Sequence, residues 1–146
     1  MLFYLNDDMN LGESSFESRG QIGIVAQDIL QSSNYIPHDP IFIEGDDNFT
    51  VANGVTGGNG TSSDPYVIQS WDISLPNTQA DPGILIRNTT AHFAVRSCLL
   101  HPSNNTKFLF VAGIYLPNCV NGILINNQIV NNYPCISLEN SHGISP

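Results

Sequence analysis

The chain is poor in charge, and above all in positive charge. Only 12% of its 146 residues are Asp, Glu, Lys or Arg, about half the share found in ordinary soluble domains. Four residues are basic and thirteen are acidic, which gives a formal net charge of −9. Because contacts with phosphate need clustered Lys and Arg, this composition argues against nucleic acid and anionic membrane surfaces as partners.

Cysteine and long apolar runs are also scarce. The three cysteines, Cys98, Cys119 and Cys135, are too few and too widely spaced for a disulfide scaffold or a Cys-x-x-Cys metal site. We interpret them as small buried residues, with one disulfide and one free thiol as the alternative. No apolar run reaches the roughly 18 residues of a membrane-spanning helix. The start, Met1–Asp8, lacks the basic region of a signal peptide.

A short apolar motif recurs in the second half of the chain. Gly83-Ile-Leu-Ile86 is followed by Gly113-Ile-Tyr-Leu116 and Cys135-Ile-Ser-Leu138. Within each copy apolar residues alternate, which places them on one face of a strand. A repeat this short cannot bury that face alone, so it must stack on the next one. We therefore predict an all-β parallel β-helix, a single-stranded solenoid of about three or four coils, with Ile84, Ile114 and Ile136 in one inward column.

Two further residues receive structural roles. Phe93–Leu99 aligns with Ile123–Ile129. Ile123 and Ile125 are predicted to point inward, and the same alternation makes Asn127 point inward too. In this alignment the residue equivalent to Asn127 is Ser97. An inward Asn at a bend is satisfied by turn backbone and by a stacked amide. Trp71 lies in a predicted strand over Tyr66–Ile73, where we interpret it as filling the core, with sugar stacking as the alternative.

The remaining chain is divided at residue 38. Residues 1–37 form a separate N-terminal segment, either disordered or a short helix that caps the stack. Residues 38–146 form the β-helix, which we expect to be truncated at its C-terminal end. An unpaired edge strand invites association, so the expected partners there are a continuation of the same β-helix or a second copy.

The glycine-rich tract from Asp46 to Asp64 is the one candidate metal site. Asp46, Asp47, Asn48 and Asp64 offer hard oxygen ligands suited to calcium, although their spacing is not that of an EF-hand and a structural loop is the competing interpretation. No other cofactor is predicted. Four Asn-x-Ser/Thr sequons make glycosylation a further prediction; they begin at Asn48, Asn59, Asn88 and Asn104. No catalytic residue is predicted, because Arg87 and Arg96 have no acidic cluster beside them in the repeats.

Several segments together resemble a known group of proteins. They are Pro40–Gly45, Asn53–Gly58, Ser63–Ile73, Asn88–Phe93 and Gly122–Asn132. Over residues 40–142 the chain resembles the right-handed parallel β-helix proteins of the pectate-lyase-like superfamily, in particular the carbohydrate-binding and sugar hydrolysis domain and the NosD-type repeats of archaeal surface proteins. The resemblance implies a right-handed coil, an extracellular or cell-surface location and a polysaccharide or glycan partner.

Two functions follow as hypotheses. The first is a non-catalytic structural or carbohydrate-binding module of a secreted or cell-surface glycoprotein. The alternative is a fragment of a polysaccharide lyase or glycoside hydrolase whose catalytic coils are missing. An acidic cluster facing an Arg or Lys along one stack of strands would favour the enzyme.

Overall fold

Short β-strands joined by tight polar turns make up almost all the regular structure. The computed structural model describes residues 35–76, 81–104 and 109–146. The strands are β1 (Ile36–Pro37), β2 (Ile41–Glu44), β3 (Tyr66–Gln69), β4 (Trp71–Leu75), β5 (Ile84–Arg87), β6 (Phe93–Arg96), β7 (Leu99–Pro102), β8 (Ile114–Pro117), β9 (Gly122–Ile125), β10 (Gln128–Ile129) and β11 (Ile136–Glu139). Two short 3₁₀ helices, Asp46–Asn48 and Val51–Asn53, follow β2. The predicted N-terminal segment lies outside the described residues, apart from its last three.

The strands form three parallel sheets. The first has the order β1-β4-β7-β10, the second β11-β8-β5-β2 and the third β3-β6-β9. On each pass the chain visits the second, third and first sheets in turn, and each strand pairs in parallel with its equivalent from the next pass. These findings confirm the all-β class and the stacking of parallel strands, the arrangement of a β-solenoid.

The second sheet shows why the repeated motif stacks. Ile84 pairs directly with Ile114, and Ile114 with Ile136. Ile84 and Ile114 are fully buried, and each such side chain contributes roughly 1.5–3 kcal/mol. Ile136 is 42% exposed, because β11 has a strand partner on one side only within the described residues. The apolar interior is therefore continuous along this column and open at the β11 end.

Polar residues in the left-handed conformation make the sharp corners of the stack. The corners after the strands of the second sheet hold Asn88, Asn118 and Asn140, with φ of 56°, 54° and 49°. Asn tolerates this conformation better than most residues because its short polar side chain bonds locally. The amide of Asn118 also donates to Oδ1 of Asn88 at 3.0 Å. This requirement explains part of the chain's richness in Asn.

A second set of corners corrects the predicted strand over Tyr66–Ile73. That segment is two strands, β3 and β4, which belong to different sheets. Ser70 breaks it at φ 62°, and Ser97 and Asn126 occupy the same corner in the next two passes at 50° and 53°. Serine is a less obvious corner residue than Gly or Asn, so an apolar run crossing it is easily taken for one strand.

The predicted register in the third sheet is wrong by one residue. Phe93 pairs with Gly122, and Val95 with Leu124, so Leu124 points inward while Ile125 is 38% exposed. The turn before β9 spans residues 118–121, one residue shorter than the turn over 88–92 before β6. Because side chains alternate, that single residue moves every neighbour to the opposite face.

Asn127 does bond to turn backbone, but its equivalent is Cys98 and not Ser97. Its Nδ2 donates to the Val95 carbonyl at 2.8 Å, and its Oδ1 accepts from the Cys98 N–H at 3.0 Å. At the corner after the strands of the second sheet, the Cys119 thiol donates to the Ile86 carbonyl. The Ser141 hydroxyl donates to the Leu116 carbonyl in the same way. The residue after a left-handed corner is thus a donor to the previous pass.

The loop between β2 and β3 closes the opposite end of the interior. The Phe49 ring stacks on Tyr66, with centroids 4.6 Å apart and planes within 6°. The backbone N–H of Thr56 donates to Val67 at 2.7 Å, and Gly57 and Val67 form an antiparallel bridge that covers the edge of β3. Trp71 is half-buried and packs against the core cluster without being part of it, and its Nε1 donates to the Gly54 carbonyl at 2.8 Å.

Candidate functional site

The outer face of the second sheet carries a strip of apolar side chains. Phe42 pairs with Leu85, and Leu85 with Tyr115, so the three side chains lie in one row across β2, β5 and β8. Along each strand these residues alternate with buried residues that point inward, and Phe42 is 50% exposed. With neighbouring strands about 4.8 Å apart, the row spans roughly 10 Å. We call these three residues the outer strip.

An ion pair borders the outer strip at the carboxyl ends of the strands. Arg87 pairs in register with Glu44 and reaches its Oε2 at 2.6 Å. The hydrogen bond from Arg87 lowers the pKa of Glu44. The guanidinium Cζ also lies 5.1 Å from the centroid of the Phe42 ring, within the range of a cation–π contact. Both charged side chains are partly exposed, so the pair shapes a surface and adds little stability.

The Nε donor of Arg87 takes no part in the ion pair. Its Nε is shielded from solvent and has no hydrogen-bond partner within the described residues. Most buried donors in proteins have a hydrogen-bond partner, so this N–H is an exception within the described residues. The Glu44 and Arg87 pair therefore offers both a carboxylate acceptor and a guanidinium donor beside the Phe42 ring.

A hollow of about 340 Å³ opens beside Phe42 at the amino ends of the strands. Phe42 and Leu85 of the outer strip form part of its wall, together with Pro40, Ile41, Asp81 and Pro82. Its volume lies at the lower limit of small-molecule sites. Five of its six lining residues are apolar in type and the sixth is Asp81, but the surface they expose is as polar as it is apolar. This mixture suits a ligand with an apolar face and hydroxyl groups at its edge.

The other end of the outer strip is held by a single hydrogen bond. The Tyr115 hydroxyl donates to the Glu139 carboxylate on β11. That contact raises the pKa of the Tyr115 phenol, and the hydrogen bond itself fixes the position of the hydroxyl end of the ring. Tyr115 therefore presents a fixed aromatic surface in line with Leu85 and Phe42.

The predicted calcium ligands do not form a carboxylate cluster. Asp46 instead anchors the loop to the next pass, because its carboxylate accepts from Thr89 Oγ1 at 2.5 Å and from the N–H and hydroxyl of Thr90. The Thr89 hydroxyl lowers the pKa of Asp46. Asn48 donates to the Glu44 carbonyl, and Asp64 lies in its own turn with Thr61. Across the described ranges no three of His, Cys, Asp or Glu are grouped as a metal site, and calcium binding by this loop stays a prediction.

The four sequon asparagines are all exposed, but they differ in what their amides do. Asn59 accepts from the Thr61 hydroxyl at 2.8 Å within its own turn. Asn88 is part of the corner stack, where it accepts from Asn118 and donates to Glu44 at 3.4 Å. Attachment of a glycan is therefore compatible with the turn at Asn59 and would disturb the stack at Asn88.

Among the described residues, the pair that most resembles a catalytic one lies on the first sheet. His101 Nε2 is 3.0 Å from Asp72 Oδ1, and Nδ1 is 2.8 Å from the Pro102 carbonyl. Both ring nitrogens are thus engaged by the protein, which leaves the ring poorly placed as a general base. All three cysteines are free, and the predicted burial is confirmed for Cys98 and Cys119 but is wrong for Cys135, which is exposed. Burial raises the pKa of the Cys98 thiol, and it raises the pKa of Cys119 to about 11, which disfavours the reactive thiolate at these two residues.

Comparison with known proteins gave no match. No protein-family model, curated protein or solved structure matches this chain. The stacked parallel sheets are compatible with a β-helix, and the superfamily itself stays an interpretation of the sequence motifs. Within the described part of the chain, no helix has the length and apolar character needed to cross a membrane.

Sequence reasoning located the repeats of the second sheet but missed their outer face. It treated Arg87 as an isolated solvated charge, whereas the fold brings Glu44 beside it from 43 residues away. It also passed over Phe42 and Leu85. The signal was present in the same motifs, because the residues between the inward isoleucines must form the opposite face.

Proposed function

We propose that this chain is a non-catalytic, carbohydrate-binding module in a secreted or cell-surface protein, built as a right-handed parallel β-helix of about three or four coils. The observation that carries the proposal is the outer strip of Phe42, Leu85 and Tyr115 with the Glu44–Arg87 ion pair beside it. The resemblance of residues 40–142 to β-helix proteins of polysaccharide metabolism supports the same class of ligand.

The chemistry of the surface matches a sugar chain in three respects. Aromatic rings pack against the apolar faces of sugar rings while polar groups satisfy the hydroxyls at their edges. Glu44 accepts and Arg87 donates hydrogen bonds next to Phe42. The strip runs across the strands and along the stack, so an extended polymer contacts equivalent positions on successive passes.

A non-catalytic role fits the polar groups present. Elimination from a uronate polymer needs a base beside acidic metal ligands, and hydrolysis needs a pair of catalytic carboxylates. Beside the outer strip Arg87 forms an ion pair with Glu44, and the Glu139 carboxylate accepts a hydrogen bond from Tyr115. The groups are paired with each other and serve recognition better than proton transfer.

Binding to a glycan array, followed by titration of the best ligand, tests the proposal. Phe42→Ala should weaken binding at least tenfold, because it removes the exposed ring that lines the hollow. Phe110→Ala is the matched control: Phe110 is 88% exposed and does not line the hollow, so it should leave affinity unchanged. Equal loss in both variants, or no binding to any glycan, would refute the proposed face, and cleavage of a uronate polymer would replace it with the enzyme.

Export can be tested separately from binding. If the protein passes through a glycosylating secretory route, Asn59 should carry a glycan and Asn88 should not, since Asn88 is stacked on Asn118. Peptide mass mapping before and after enzymatic deglycosylation distinguishes the two sites. A glycan at Asn88, with Asn59 unmodified, would contradict this account of the corner stack.

A further inference from the structure

The charged groups around the outer strip are mostly carboxylates. Glu44 and Arg87 form an ion pair, so their charges offset each other. Glu139 lies at one end of the strip, where it accepts a hydrogen bond from Tyr115. Asp81 lies at the other end, in the wall of the hollow. Neither Glu139 nor Asp81 forms an ion pair within the described residues, so the surface around the strip carries an excess of negative charge.

Arg87 is the one basic side chain on this face among the described residues, and it is poorly placed to receive an acidic ligand. Its Nη2 is 2.6 Å from the Glu44 carboxylate, and its Nε is shielded from solvent. A carboxylate binds arginine most strongly through two parallel N–H donors, and the pair formed by Nε and Nη2 is closed to a ligand. An acidic sugar would therefore meet carboxylates without gaining a strong contact with the guanidinium.

Asp81 is placed to contact a polar group on a sugar that packs against Phe42. Both residues line the hollow, and the Phe42 ring is 50% exposed. Along β2 the hollow lies on the side of Pro40, whereas the ion pair lies on the side of Glu44. No hydrogen bond or ion pair engages the Asp81 carboxylate within the described part of the chain, so both of its oxygens can accept from a ligand.

We infer that the outer strip prefers sugars that carry an ammonium group, such as polymers of glucosamine, over neutral and acidic sugars, with Asp81 as the residue that determines this specificity. The inference rests on the proposed carbohydrate-binding function of the same strip. An ammonium group has three donors, and its hydrogen bond to a carboxylate is charge-assisted. A sugar hydroxyl at the same position makes a neutral contact, and a uronate is repelled.

Titration with β-linked oligomers of equal length tests this preference at mildly acidic pH, where the amines are charged. The probes are oligomers of glucosamine, N-acetylglucosamine, glucose and galacturonate. The glucosamine oligomer should bind most tightly and the galacturonate oligomer least tightly. The advantage of the amine over its acetylated form should shrink as salt is added, because salt screens the attraction between exposed charges.

Two variants assign the preference to one carboxylate. Asp81→Asn should weaken binding of the glucosamine oligomer about fivefold, the most that one exposed ion pair contributes, and should leave binding of the N-acetylglucosamine oligomer unchanged. Asp64→Asn is the matched control, because it removes the same charge from an exposed turn that does not line the hollow. It should leave binding of both oligomers unchanged.

The outcomes separate this inference from the function on which it rests. Equal affinity for the amine and its acetylated form, tightest binding of galacturonate, or no effect of Asp81→Asn would each overturn the inference. If Phe42→Ala still weakens binding in those cases, the carbohydrate-binding face stands. An equal loss in Asp81→Asn and Asp64→Asn would indicate attraction to the acidic chain as a whole and would also overturn the inference. Absence of binding to all four oligomers would overturn it too, and the glycan array then decides the proposed function.

Discussion

Replacing isoleucine by alanine at successive levels of one column should destabilise the protein in proportion to burial. Ile84, Ile114 and Ile136 are register partners in β5, β8 and β11, but the first two are fully buried and the third is 42% exposed. The substitution is chemically identical at each level. Differences in the free energy of unfolding therefore report the position of each residue in the stack.

The magnitudes follow from the structure. Ile→Ala removes three carbons, about 2.4 kcal/mol at roughly 0.8 kcal/mol per carbon, and a cavity between two neighbouring layers raises the cost at Ile114 to about 3–4 kcal/mol. The same loss is expected at Ile84. Ile136 has a neighbouring layer on one side only and leaves no enclosed cavity, so its replacement should cost about 1 kcal/mol.

Urea unfolding followed by circular dichroism measures these differences. The protein should be dilute enough to remain monomeric, and the dependence of free energy on urea should be the same for all variants, since a change would indicate partial unfolding of the stack. A loss at Ile114 no larger than that at Ile136 would refute the argument from stacked columns.

Three further predictions concern corners and the loop. Asn127→Ala should cost about 2 kcal/mol in urea unfolding, because the Cys98 N–H and the Val95 carbonyl each lose a partner; no loss would contradict the corner role. Cys119→Ser should be nearly neutral and Cys119→Val should destabilise, since only serine keeps a donor to the Ile86 carbonyl; equal stability would argue against that bond. The pKa of Asp46 is lowered in the fold, so its contribution to stability is present above its unfolded value and is lost as pH falls through the lower folded value. Asp46→Asn should therefore reduce the change in urea midpoint between pH 6 and pH 3, and an unaltered pH dependence would count against the anchor.

The second sheet was the part most open to prediction. Its motif Gly-Ile-x-Ile recurs with alternation intact, and alternation alone fixes which residues face inward. The actual pairs Ile84–Ile114 and Ile114–Ile136 follow that alignment. The four strands of the second sheet are each four residues long, so the length variation between them falls in the segments that join them.

The register of the third sheet could not be predicted from the alternation of apolar residues. Gly122 occupies an inward position with no side chain, and a Cβ there would lie 2.5 Å from the Phe93 ring. The large ring of one pass fills the space left by glycine in the next, so the apolar pattern is shared between layers and is not visible in either alone. A sequence alignment that matches apolar to apolar then selects the wrong register.

The outer strip was missed for a different reason. Its members come from separate passes, and Glu44 reaches Arg87 across 43 residues of sequence. Neither residue has a local pattern that indicates a site, since each is a single charge at the end of a strand. Only the register between β2 and β5 brings them together beside Phe42.

Distances between methyl groups test the stacked interior most directly. In a sample labelled at isoleucine δ1-methyl groups, with resonances assigned by Ile→Val substitution, nuclear Overhauser contacts should join Ile84 to Ile114 and Ile114 to Ile136. Ile84 and Ile136, two strand spacings or about 10 Å apart, should show none. A spectrum in which Ile114 contacts neither of the other two isoleucines would contradict the parallel stack.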